Sequence, residues 1–201
     1  MRTASRLLRG LAGFMLLLTV LSPALAGSLD APGYTKAFTC SACHGFAGNS
    51  RSDTVPILAG MAPWYLKKAI QDYASGRRPA PEMEPYAKMV IHLGLDEVAA
   101  YFAAQKREPT PAVLDPAAIA RGRAASALCV ACHGPEGRGD PARGVPELTG
   151  QPPGYLKHQM LLFKTGQRSS GDEALQAMKA FMRTIPDPSF ADLAAYFSSV
   201  Q

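Results

Sequence analysis

Apolar residues fall at helical spacing in two matching segments. Tyr65, Leu66, Ala69, Ile70 and Tyr73 share one face of a helix predicted over Pro63 to Ser75. Pro153 to Thr165 repeats the pattern and predicts a second helix. Asp115-Pro116 places an N-cap residue before a proline at the first helical position, which opens a helix through Ala117 to Leu128. Asp187-Pro188 does the same for Ser189 to Val200. No stretch alternates apolar and polar positions as a half-buried strand would. Between the helices lie loops rich in Gly and Pro, such as Gly134 to Gly144. The pattern predicts an all-α protein.

The pattern is also written twice. Cys40-Ser41-Ala42-Cys43-His44 recurs as Cys129-Val130-Ala131-Cys132-His133, offset by 89 residues. Gly33 and Gly122 each stand seven residues before these motifs. Val55-Pro56-Ile57-Leu58 with Gly60 matches Val145-Pro146-Glu147-Leu148 with Gly150 at an offset of 90, as Tyr65-Leu66-Lys67 matches Tyr155-Leu156-Lys157. Gly76 with Arg78 matches Gly166 with Arg168, and Ala99-Ala100-Tyr101-Phe102 matches Ala194-Ala195-Tyr196-Phe197 at 95. Ordered matches with slowly growing offsets predict two tandem domains related by internal duplication, with small insertions in their loops. The break falls at 106–115, where KREPTPAVLD carries two prolines and no helical period and reads as a semi-rigid linker. Residues 27–105 and 116–201 are then the two domains. A core of roughly 75 to 85 residues is marginal for a protein interior alone, so a large apolar cofactor in each would complete it.

The N-terminus changes the charge argument. Arg2, Arg6 and Arg9 precede an apolar run from Leu11 to Leu21, and Ala24-Leu25-Ala26 is a small-residue cleavage pattern. Residues 1–26 read as a secretory signal peptide, the run being short for a bilayer span; the competing reading is an uncleaved anchor. Removing those three arginines from the 21 Lys and Arg leaves 18 against 16 Asp and Glu. With no basic run, the mature chain has no feature of a nucleic-acid binder. Its charge bears on docking with redox partners, and weakly.

Four cysteines in an exported chain would ordinarily suggest two disulfides. The Cys-x-x-Cys-His spacing argues for covalently attached haem c instead, one per motif. Two thiols one helical turn apart can add to the two vinyl groups on one porphyrin edge, and the adjacent His then lies under the iron. Cys40 and Cys43 with His44 would hold one haem, and Cys129 and Cys132 with His133 the other. The rivals are a thioredoxin-like redox motif, which lacks its strand–helix context, a four-cysteine zinc site, whose pairs sit in separate domains, and disulfides formed if haem is never attached.

Alignment of the halves also selects a second axial ligand. Met83 lies 18 residues before Tyr101, and Met178 lies 18 before Tyr196. Met61, Met89, Met160 and Met182 find no methionine opposite them, and His92 and His158 have no counterpart histidine. Met83 and Met178 are therefore the expected thioether ligands, each placed on a loop before the last helix of its domain. A neutral thioether favours ferrous iron and raises the potential. With both iron faces filled, the expected role is electron carriage rather than substrate chemistry. Pro56 and Pro146 are candidates to accept the ligand histidine's other N–H. Gly33 and Gly122 are expected to allow the last helix close against the first, at Tyr101 and Tyr196. Arg77, Arg78 and Arg168 are candidates for haem propionates or simply solvated cations.

These residues resemble the cytochrome c4 family, the exported two-domain, two-haem cytochromes of bacteria. The likeness covers nearly all of the mature chain. It rests on both CxxCH runs, on PELTGQPPGYLKHQMLLFKTGQRS in the second half, on PILAGMAPWYLKKAIQDYASGRR in the first, and on each Met before an AAYF helix. The first half departs from the family pattern, with Met61 in place of a Gln and Ala69 where the second half has Gln159. The resemblance implies two helical cytochrome c domains about a pseudo-twofold axis, with haem edges facing each other. It implies a periplasmic carrier, soluble or loosely membrane-associated, passing single electrons between respiratory partners such as a quinol-oxidising complex, a dehydrogenase or a terminal oxidase. The alternative is a cytochrome subunit fixed to a periplasmic dehydrogenase that oxidises sulfide, thiosulfate or an alcohol.

Overall fold

The computed structural model describes residues 29–169 and 171–201; the predicted signal peptide, 1–26, lies outside them. In the first half, α1 (Tyr34–Ala37), a 3-10 turn (Phe38–Cys40) and α2 (Ser41–His44) run into one another, followed by α3 (Pro63–Ala74), α4 (Glu84–Leu93) and α5 (Leu95–Ala103). In the second, α6 (Pro116–Ala125), α7 (Ala127–His133), α8 (Pro153–Lys164), α9 (Gln176–Thr184) and α10 (Ser189–Ser199) follow the same order. No helix covers 104–115, and the described residues contain no strand beyond an isolated bridge between Asp140 and Val145. Over the described residues the chain is all-α, and its two halves repeat one order of helices. Residues 32–201 form one compact unit.

The duplication is repeated in the backbone. Each Cys-x-x-Cys-His segment ends at a glycine of positive φ, Gly45 or Gly134, and the chain then passes through a left-handed residue, Ala47 (φ 53) or Glu136 (φ 57). Leu58 N–H donates to Gly48 O and Leu148 N–H to Gly137 O, both at 2.8 Å. Gly60 N–H and Gly150 N–H reach Phe102 O and Phe197 O, both at 2.9 Å. The last helix thus tethers the loop beyond the Cys-x-x-Cys-His segment in each half. Tyr101 and Phe102 are buried on α5, and Phe190, Leu193 and Phe197 on α10.

The first-to-last helix contact depends on glycine. A methyl group at Gly122 would lie 1.9 Å from Asp192 O and 2.8 Å from Tyr196 Cβ; at Gly33 it would lie 2.5 Å from Glu97 O. Gly33 is the left-handed N-cap of α1 rather than a residue within it, while Gly122 sits inside α6. Both obstacles are backbone, so the helices must separate to accept a side chain. Gly122→Ala is expected to cost about 3 kcal/mol, the upper range for overpacking. Thermal unfolding of the haem-loaded protein, followed in the far ultraviolet, measures the loss; an unchanged midpoint refutes the close crossing.

Three expectations need correction. The helix opened by Asp115, whose carboxylate accepts from Ala117 N–H and Ala118 N–H, does not run to Leu128. It breaks at Ser126, whose hydroxyl donates to Arg123 O at 2.9 Å, and Cys129 N–H then donates to Ser126 O as α7 begins. Asp187 does not cap α10 with its side chain; Lys164 Nζ takes that carboxylate at 2.6 Å. Met178 lies within the first turn of α9 rather than on a loop, Met83 closes the turn before α4 as its N-cap, and these two helices stand between the Met positions and the last helices.

Candidate functional site

The two thiols of each motif are set one helical turn apart. Cys40 closes the 3-10 turn and Cys43 lies on α2, whereas Cys129 and Cys132 both lie on α7. Cys43 and Cys132 are exposed, Cys40 and Cys129 half-buried, and all four are free. Burial pushes the Cys40 and Cys129 thiols above their ordinary pKa. Among the described residues no group of three or more His, Cys, Asp or Glu is placed to hold a bare metal ion.

Each motif histidine is held by a loop carbonyl. His44 Nδ1 contacts Pro56 O at 2.9 Å, and His133 Nδ1 contacts Pro146 O at 2.7 Å. A carbonyl can only accept, so Nδ1 carries the proton and Nε2 keeps its lone pair for a metal. Burial lowers both imidazole pKa values, against the opposing pull of the carbonyl bond, which favours the neutral ligand form.

The methionines separate by position. Met178, Cys129 and Val130 pack against one apolar cluster that includes Leu156, Phe190 and Phe197. Half-buried Met83 is the N-cap of α4, which packs on α3. Met61 and Met182 are buried core residues. His92 and His158 are exposed side chains.

The arginines after the Gly76 and Gly166 turns are buried between the halves. Arg78 Nη2 donates to the Tyr155 hydroxyl at 2.5 Å, and Arg168 Nη2 donates to the Tyr65 hydroxyl at 3.0 Å. The exchange is reciprocal, each half giving a guanidinium to a phenol of the other. Arg168 also donates to Gln159 Oε1, and Arg78 lies 4.5 Å over the Tyr73 ring. Arg77 is different: it is exposed and pairs with Asp72. Burial opposes ionisation of Tyr65, yet Arg168 and Arg78 outweigh it and bring the phenol to about 7. At Tyr155 burial dominates Arg78 and raises the pKa.

This pairing leaves the guanidiniums incompletely satisfied. Arg78 and Arg168 are 2% and 8% exposed, and neither has a carboxylate partner among the described residues. Their Nε–H groups, and the Trp64 indole N–H, are buried donors with no acceptor. Buried charge needs a counter-charge. The vacant donors suit carboxylates, and the paired thiols with the oriented imidazoles suit a porphyrin edge and its iron, so the chemistry of the donor set matches a haem.

Sequence reasoning missed much of the contact between the halves. Gln151 is buried and takes both polar groups of Ile57, with Ile57 N–H donating to Oε1 and Nε2 donating to Ile57 O, each at 2.9 Å. Asp53 caps α8, accepting from Gly154 N–H at 3.0 Å and Tyr155 N–H at 2.9 Å. Arg107 donates to Ala59 O in one half and to Glu147 and Thr149 O in the other. The available signal was asymmetry: Gln151 faces Met61 in the alignment.

Comparison with known proteins agrees with this geometry. The cytochrome c family profile matches residues 119–201. The chain is 31% identical to cytochrome c4 of Pseudomonas aeruginosa over 199 residues, covering 94% of this chain and 98% of that one. It is 34% identical to a thiosulfate dehydrogenase electron acceptor of Stutzerimonas stutzeri, covering 82% and 80%. The crystal structure of reduced cytochrome c4 from Pseudomonas stutzeri superposes with a TM-score of 0.74 at 29% identity, over 84% of this chain and 97% of that chain.

Proposed function

Because the chain belongs to the cytochrome c4 family and carries two covalent haem c groups as a dihaem electron carrier, we propose which residues hold each haem and where the protein works. Cys40 and Cys43 bond the first haem, with His44 and Met83 as axial ligands. Cys129 and Cys132 bond the second, with His133 and Met178. The observation that carries this reading is the repeated His Nδ1 to Pro O bond, which leaves Nε2 of both histidines oriented for iron. The domains are 27–105 and 116–201, joined by 106–115. Arg78 and Arg168 use their vacant Nε–H groups to bind haem propionates.

Each haem, when bound, supplies a one-electron ferric–ferrous couple. The protein's part is to fix ligand geometry and exclude water. The carbonyl bonds hold each imidazole ring in one orientation, and Met83 and Met178 would supply the thioether ligands. Nothing large must rearrange when the charge changes, which suits carriage rather than catalysis. Exchange with redox partner proteins follows from that role.

The chain works in the periplasm after removal of residues 1–26. No helix among the described residues is long and apolar enough to cross a membrane. A terminal oxidase, a quinol-oxidising complex or a dehydrogenase is the partner class. The relative named as a thiosulfate dehydrogenase electron acceptor favours a second reading, a subunit docked to such an enzyme.

Intact mass of the exported protein, with a redox titration followed by absorbance, tests the proposal. The expected result is a polypeptide starting near Gly27, two added haems and two one-electron waves. A mass without both haems refutes it. Stable co-purification with a dehydrogenase subunit would select the second reading.

A further inference from the structure

The two histidine–carbonyl bonds are alike, but what stands behind them is not. Pro56 O, which accepts from His44, belongs to the same peptide group as Ile57 N–H, which donates to Gln151 Oε1. The sequence of bonds runs from His44 Nδ1–H through the Pro56–Ile57 peptide to an amide supplied by the other half of the molecule. Gln151 is 5% exposed and Ile57 1%, so water does not compete for these bonds. The second contact, Nε2 to Ile57 O, prevents the side-chain amide from turning away.

In the second half the corresponding peptide is Pro146–Glu147, and the residue opposite Gln151 is Met61. A thioether carries no amide oxygen. Glu147 directs its own carboxylate to Arg107 and Thr149. The His133 bond to Pro146 O therefore lacks the support that His44 receives.

We propose that Gln151 is a positioning residue for the first haem, through which the second half sets the donor strength of His44 and so the difference between the two redox couples. An acceptor on a peptide N–H shifts electron density towards that peptide's oxygen, and linked hydrogen bonds strengthen one another. Pro56 O becomes the better acceptor and His44 the more electron-rich ligand. That stabilises ferric iron and lowers the first couple relative to the same site without the amide. Gln151 touches neither haem nor ligand, and acts through the peptide. The inference rests on His44 being the iron ligand of the first haem.

The test is a spectroelectrochemical titration of the haem-loaded Gln151→Met protein, which copies the residue found at Met61. The first couple is identified as the one displaced by Met83→His in the same background. Gln151→Met should raise that couple alone, moving the electron distribution between the haems roughly threefold towards the first, within the worth of one hydrogen bond. In the reduced, diamagnetic protein the His44 Nδ1–H proton resonance should move upfield while that of His133 stays. Gln151→Glu keeps an acceptor for Ile57 N–H and should hold the first couple at or below its native value; it serves also if the Met variant does not fold. Arg107→Ala loosens contact between the halves without touching the Pro56–Ile57 peptide. Unchanged couples, equal shifts of both, or a first-couple shift reproduced by Arg107→Ala overturns the proposal. Failure of the premise is seen separately, as a haem-loaded His44→Ala protein whose first couple and absorption spectrum are unchanged, and removes the inference with it.

Discussion

Cys129→Ser with Cys132→Ser should yield a protein carrying one haem, with an intact second-half sequence that no longer folds. The second-half core is small. Phe190, Leu193, Phe197 and Leu156 form its buried centre, and Cys129, Val130, Leu148, Met178 and Phe181 pack on it only partly buried. Those partly buried positions are the surface a porphyrin would cover. A domain of this size has at most about 3–5 kcal/mol to lose. If Arg168 binds a propionate as proposed, removing the haem also leaves its buried Nε–H without an acceptor. The expected outcome is half the native haem absorbance and rapid cleavage between 116 and 201 by added protease. The first half should keep its haem band, because Cys40, Cys43 and His44 are untouched. Mass spectrometry of the fragments reads both results. Retention of two haems would overturn the assignment of the second pair.

Met83→His should lower the potential of the first couple by on the order of 0.2 V, a fraction of the roughly 0.8 V range that axial ligands span. Imidazole is a stronger donor than a thioether and stabilises ferric iron. Position 83 is the N-cap of α4 and half-buried, so a ring can be accommodated at the edge of the first-half core, to which Met61 belongs. The second couple, which the proposal assigns to Met178, should not move. The thioether–iron charge-transfer band of the oxidised protein should fall by half. If the band keeps its full strength, Met83 is not a ligand, and Met89 on the same helix is the next residue to change.

Most of the chemistry could be read from the chain because it is local. Two cysteines and a histidine within five residues need only one helical turn to face one porphyrin edge, and both copies lie on helices or their first turns. The equal spacing of Met83 and Met178 from their terminal helices is a match in sequence; Met83 is the N-cap of α4, whereas Met178 lies within α9. The carbonyl partners Pro56 and Pro146 were also legible, since a repeated Pro in a loop fixes the same backbone path twice. Helices α4 and α9 were less so. The start of α4 carries a signal in Glu84 and Pro85, but α9 has no such pair, and both segments are short and follow Gly-containing turns.

What the sequence by itself determined is therefore the all-α duplicated architecture, the two haem attachment motifs and the paired candidate ligands, because each depends on residues near one another along the chain. Only the tertiary structure decided how the halves meet. Arg78 with Tyr155, Arg168 with Tyr65 and Gln151 with Ile57 are 77, 103 and 94 residues apart, and no periodicity brings them together. Those contacts are selected by burial: a guanidinium or amide removed from water takes whatever partner the opposing surface offers, and that surface exists only once both halves have folded.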